Sequence, residues 1–183
     1  VTDAQGVKLG IVAPDGRDGM LTHARQFADA GTPFIFDPGQ GMPMFDGKDL
    51  LHFLELATWC TVNDYEARML CDRTGLSEAQ VAEKVEALIV TRGAEGSRVY
   101  HDGTVTEVAC VKADALVDPT GCGDAYRGGL LYGLSRGAGI VNAARLASVM
   151  GAIKIAHRGG QNHKTAREQI AARYEAAFGE KPW

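Results

Sequence analysis

Hydrophobic residues follow two rhythms along this chain. Short apolar runs at 7–12, 33–36, 59–62 and 88–91 have the length of buried strands, and the second closes on Asp37-Pro38-Gly39. Between them, 18–30, 48–56, 65–71 and 78–88 carry the period of amphipathic helices, with Gly31 ending the first and Gly75 splitting the last two. Further on the rhythm changes. Two short β runs, 97–101 and 105–111, flank Asp102-Gly103, a strong hairpin signal, and from Gly123 onward three helices are expected at 124–135, 140–156 and 165–178.

Strands that alternate with helices predict an α/β fold: a doubly wound, mostly parallel sheet flanked by helices, with a β-hairpin edge. No repeat, low-complexity tract or linker interrupts residues 1–183, so a single domain is expected. Ligands of such sheets gather at the carboxyl ends of the strands. Asp37 and Gln40, Asn63 and Glu66, Thr91 and Gly93, and the polar segment 118–124 all follow predicted strands, and one rim would carry them all.

Composition narrows the classes. With 45% hydrophobic and 23% charged residues the chain is ordinary for a globular domain. A net charge of −4, with no basic block, argues against nucleic acid or a membrane surface as partner, so any phosphate site must be local. No apolar run is long enough to span a bilayer, and Val1, Thr2, Asp3, Ala4 and Gln5 do not resemble a signal peptide; a cytoplasmic location is expected. Cys60, Cys71, Cys110 and Cys122 form no zinc or redox spacing, and the five histidines form no ligand motif. Cys122, at a predicted helix start where a thiolate is favoured, reads as a small residue filling the turn.

The most informative segment is Asp118-Pro119-Thr120-Gly121-Cys122-Gly123-Asp124-Ala125-Tyr126-Arg127-Gly128-Gly129. It is a polar, glycine-rich turn that runs into the helical pattern of Leu130, Leu131 and Leu134. Helix starts offer unpaired N–H donors and about half a positive charge, which suits phosphate. Two better-known phosphate motifs fail. Between Gly41 and Lys48 the Walker spacing is too long and Asp49 follows the lysine, while Gly121-Cys122-Gly123 is not followed by the third glycine of a dinucleotide fingerprint. An acid inside an anion-binding turn makes sense if Asp124 deprotonates a hydroxyl that attacks phosphorus held by the same turn.

Residues 118–129 resemble the second signature of the ribokinase-like, or PfkB-type, kinases. Asn63-Asp64-Tyr65-Glu66 is similar to that family's N-x-x-E motif, Thr91-Arg92-Gly93-Ala94-Glu95-Gly96 to its T-x-G-x-x-G motif, and Gly159-Gly160-Gln161 to its glycine-rich segment near the C-terminus. Within the family, Asp37-Pro38-Gly39-Gln40, 61–66, 118–127 and Gly160-Gln161 look most like bacterial adenosine kinases. The resemblance implies that Asp124 is the general base and that Gly121, Cys122 and Gly123 form an anion hole through their N–H groups. It further implies that Asn63 and Glu66 organise magnesium through water, that Thr91, Gly93, Gly96, Gly160 and Gln161 border ATP, and that Gln40 and Asp124 meet the substrate. Asp118 and Thr120 resemble ligands of a monovalent cation, with K+ as the expected ion. ATP and Mg2+ are thus the expected cofactors, a small-molecule nucleoside or sugar the expected partner, and a homodimer is compatible with the family.

Departures qualify the substrate. Gly39 and Gly41 stand where the adenosine kinases carry serine and a second glutamine, which bears on base recognition. The family's N-terminal portion, with its Gly-Gly segment, principal substrate aspartate and β lid, has no counterpart here, and the chain does not begin with Met. The expectation is therefore a C-terminal nucleotide-binding and catalytic portion of a longer kinase, most specifically one that converts adenosine to AMP. A sugar kinase of the same fold, or a nucleotide-binding fragment without catalysis, are the alternatives.

Overall fold

The computed structural model describes residues 6–183; the calls on Val1, Thr2, Asp3, Ala4 and Gln5 lie outside the described residues. By internal contact the chain divides into two compact units. One runs up to Arg92 and includes Arg98–Thr106; the other comprises Gly93–Ser97 and Glu107–Trp183.

The first unit begins with β1 (Gly10–Val12), α1 (Arg17–Asp29) and β2 (Phe34–Phe36). A 3-10 turn over Gly39–Met44 then leads into α2 (Gly47–Leu56), β3 (Trp59–Asn63), α3 (Asp64–Thr74), the short α4 (Glu78–Ala82) and β4 (Ala87–Thr91). β1 to β4 pair in parallel, with Gly10 opposite Phe34, Ile35 opposite Trp59 and Asn63 opposite Thr91. β5 (Ser97–His101) and β6 (Thr104–Val108) complete a six-stranded sheet whose spatial order follows the chain. Asp102 and Gly103, with φ of 49° and 70°, make the mirror-image turn that a two-residue hairpin requires.

Parallel strands need apolar cover, and Phe34, Ile35, Phe36, Cys60, Val62, Leu88, Ile89 and Val90 are all buried. Phe53 of α2 stacks on Phe36 of β2 with ring centroids 4.3 Å apart, and Phe45 meets the Phe53 ring edge-on. β1, α4 and β6 each fall three or more residues short of the apolar pattern at one end, β6 stopping at Val108 rather than at residue 111. β1 takes only the last three residues of its run, because pairing with β2 begins at Gly10. α4 stops at Ala82 rather than reaching residue 88, because Glu86 must already donate its N–H to Thr58 O and deliver Ala87 beside Trp59.

The second unit is helical: α5 (Cys122–Ser135), α6 (Ile140–Ile155) and α7 (Arg167–Phe178). α5 and α6 approach closely through a small-residue seam. A Cβ on Gly129 would lie 2.7 Å from Ala147 Cα, and one on Gly133 would lie 2.9 Å from Ala143 Cα. Val111, Leu146, Val149, Ala152, Ile153 and Tyr174 form a core that joins α6 to α7. No helix among the described residues is long and apolar enough to cross a membrane.

Candidate functional site

In the first unit, the carboxyl ends of four parallel strands share one edge. Asp37, 2% exposed, ends β2; Gln40, exposed, sits in the 3-10 turn that follows; Asn63 and Thr91 are register partners at the ends of β3 and β4. The loops after β1 and β2 touch, since a Cβ on Gly39 would lie 2.6 Å from Pro14 Cγ.

Most polar atoms on this edge are committed to holding the backbone. Asn63 Oδ1 accepts the Glu66 N–H at 2.8 Å and Glu66 Oε2 accepts the Asn63 N–H at 2.8 Å, a reciprocal cap that starts α3 directly from the strand end. Thr91 Oγ1 donates to Val62 O at 3.4 Å. The cap nevertheless leaves a buried carboxylate, with its second oxygen, in a defined orientation at the strand edge. A carboxylate held this way suits a hydrated Mg2+, which keeps most of its waters and takes few protein oxygens. Among the described residues no cluster of three or more His, Cys, Asp or Glu could enclose a metal.

The second unit contains the glycine-rich turn. Gly121 is the N-cap of α5 with φ of 78° and ψ of 7°, a left-handed conformation that side chains resist. A Cβ there would also lie 2.9 Å from Gly160 Cα. The fold thus brings together two of the predicted site glycines, far apart in sequence.

The turn is braced from behind. Asp118 Oδ2 accepts the Gly159 N–H at 2.7 Å and Oδ1 accepts the Thr120 N–H at 2.9 Å. These bonds, the Gly159 N–H foremost, then the Thr120 N–H and hydroxyl, favour the charged form and hold the Asp118 carboxyl at about 2, with Lys154 adding attraction. Val117 and Asp118 N–H both donate to Ile155 O, at 2.9 and 3.1 Å. Lys154, fully buried, sends its ammonium to Asp118 O at 2.6 Å and His157 O at 3.1 Å. Sequence reasoning missed this lysine, because its partners are set by the packing of α6 and not by any local motif.

At the open side, α5 starts without a side-chain cap. Cys122 N–H donates to Pro119 O at 3.1 Å, and Ala125 N–H to Gly121 O at 2.9 Å. Gly123 and Asp124 lie in the first turn, where the helix itself offers no acceptor for their N–H groups. Of the three donors expected at 121–123, the Cys122 N–H thus has an acceptor within the turn itself. Asp124 is exposed in the same first turn. The Arg127 guanidinium lies against Gly123, since a Cβ there would sit 2.6 Å from Arg127 Nη1.

The Cys122 thiol is pushed up chiefly by burial, which outweighs the pull of Lys154, and it donates to Asp118 O at 3.9 Å. Tyr126, pushed up to about 12 by burial, hydrogen-bonds Ser97 through its hydroxyl at 2.9 Å. Gly96 permits a backbone crossing, because a Cβ would lie 2.1 Å from Val108 O; Gly93, by contrast, faces open space. Gln161 is exposed one residue beyond Gly160.

The family model of pfkB family carbohydrate kinases matches residues 4–167. Over 98% of its length the chain superposes with a TM-score of 0.96 and 52% identity on 59% of the nucleoside kinase of Burkholderia thailandensis, solved in complex with inosine. It is 29% identical to a nucleoside kinase of Methanocaldococcus jannaschii over 76% of this chain and 46% of that protein. A ribokinase of Lactococcus lactis is 31% identical over 69% of this chain and 41% of that protein. The chain spans about half the length of the curated relatives it matches.

Proposed function

The chain belongs to the pfkB family of carbohydrate kinases, and from that premise we propose that its whole protein transfers the γ-phosphate of ATP to a hydroxyl of a nucleoside, with adenosine and inosine the first acceptors to test. The observation that carries this reading is the start of α5: an exposed carboxylate, Asp124, beside first-turn N–H groups on a braced backbone. Asp124 takes the proton from the attacking hydroxyl. Its neighbours at 121–124 receive the charge that builds on the phosphoryl group, chiefly through the N–H groups of Gly123 and Asp124 together with the helix start. Because these dipoles are held before substrate arrives, little reorganisation is needed at the moment of reaction.

The remaining candidates take supporting roles. Glu66, oriented by its cap on Asn63, would hold Mg2+ through water, and the ion would neutralise phosphate charge. Thr91, Gly93, Gly96, Gly160 and Gln161 would border ATP, and Gln40, exposed beyond β2, would touch the nucleoside. In this reading residues 1–183 act as the nucleotide-binding and catalytic part. A cytoplasmic place in purine salvage and a homodimer accord with this reading.

The second reading, a sugar kinase, draws on the likeness to a ribokinase and on Gly39 and Gly41, which stand where the adenosine kinases carry serine and glutamine. A panel of adenosine, inosine, cytidine, ribose and fructose, given to the whole protein with ATP and Mg2+, separates the two. Phosphorylation of nucleosides that is lost in Asp124→Asn is the expected result. Turnover of sugars alone would replace the acceptor class, and equal rates with and without the Asp124 carboxylate would remove its role as base.

A further inference from the structure

Two carboxylate oxygens and one carbonyl define the back of the phosphate turn, and all three already have partners. Asp118 Oδ1 and Oδ2 accept main-chain N–H groups, and Asp118 O accepts the Lys154 ammonium at 2.6 Å. The same ammonium reaches His157 O at 3.1 Å, so one charge ties the segment that enters α5 to the segment that leaves α6. A buried ammonium survives only when it is paired and hydrogen-bonded. Here its partners are main-chain carbonyls plus the nearby Asp118 carboxylate, a donor set of the kind that hard monovalent cations favour.

A free K+ does not fit beside it. A second positive charge at Asp118 would be repelled by Lys154, and both carboxylate oxygens of Asp118 point at N–H hydrogens. We propose that Lys154 is a positioning residue whose tethered ammonium does the work of a monovalent cation, holding 117–121 against 157–160 so that the start of α5 keeps its donors in place without K+. This rests on the phosphotransfer reading above, but the inference concerns the bracing, and it can be read without turnover.

The test compares the whole wild-type protein with Lys154→Met, in buffers whose only small monovalent cation is tetramethylammonium, then with K+ or methylammonium added at constant ionic strength. Wild type is expected to keep both its rate and its melting temperature when K+ is added. Lys154→Met should lose about a hundredfold in kcat, the scale of a misplaced catalytic element, and K+ or methylammonium should restore part of it. In the absence of substrate, K+ should also raise the melting temperature of the variant alone, because it binds only the folded state. The proposal is overturned if wild type itself gains rate and thermal stability from K+, if the variant loses nothing, or if a folded variant responds to neither cation. Should Lys154→Met fail to fold, the wild-type responses to K+ decide by themselves. A wild type that phosphorylates no nucleoside defeats the acceptor reading, while the melting-temperature arms still judge Lys154.

Discussion

The sheet edge and the helix start carry similar inventories of polar residues, yet they spend them differently. At the edge, Asn63 and Glu66 cap each other and Thr91 bonds Val62 O, so side chains serve the backbone. At the start of α5 the backbone is served from behind by Asp118 and Lys154, and the front, with Asp124 and the first-turn N–H groups, is left open. The difference is one of preorganisation. Polar groups that are satisfied by their own fold build a platform, and polar groups held in place but unsatisfied are available to a ligand.

That contrast can be broken at several points. The largest effect is expected from Asp124→Asn, which should lower kcat by roughly a hundredfold to ten-thousandfold while leaving the melting temperature nearly unchanged, since the carboxylate caps nothing. Next is Glu66→Gln, which can still accept the Asn63 N–H and so should keep the fold. If its charge organises the metal, the Mg2+ needed for half-maximal rate should rise by about tenfold or more; an unchanged Mg2+ titration would make Glu66 a cap and nothing else.

Gly121→Ala forces a Cβ into a left-handed position 2.9 Å from Gly160 Cα and should cost about 1–3 kcal/mol in denaturant unfolding, with weaker ATP binding. Asn63→Ala removes an N-cap and should cost about 1 kcal/mol. The smallest effect is in Asp118→Asn and depends on pH. The Asp118 carboxyl is lowered from its ordinary 3.8 to about 2 by bonds to its charged form. Its stabilising contribution is therefore fully present above about pH 4 and lost as pH falls towards 2. The stability gap between wild type and Asp118→Asn should narrow over that window, and a gap that stays constant would show that the bonds do not depend on the charge.

Much of this is legible in the sequence. Strand-length apolar runs and helical periods placed nearly every element, because a parallel sheet with covering helices imposes those patterns on the chain. The turn at 118–124, the acid within it and the N-x-x-E pair Asn63 and Glu66 were visible because each is local, and a few adjacent residues suffice to specify a motif or a helix start. At the front of β1 and the end of α4, two of the places where the pattern overran, a partner strand decided which residues could pair.

What the tertiary structure decided is how the turn is held. Lys154 reads in sequence as an ordinary last-turn cation near the end of α6, yet the fold buries it completely and aims it at a carbonyl 36 positions away. Asp118 likewise reads as a ligand and is found bonded to Gly159, 41 positions away. Periodicity and spacing record what a residue does for its own element. Which distant backbone it will meet depends on how α5 and α6 pack along their glycine and alanine seam, and that contact exists only once the chain has closed on itself.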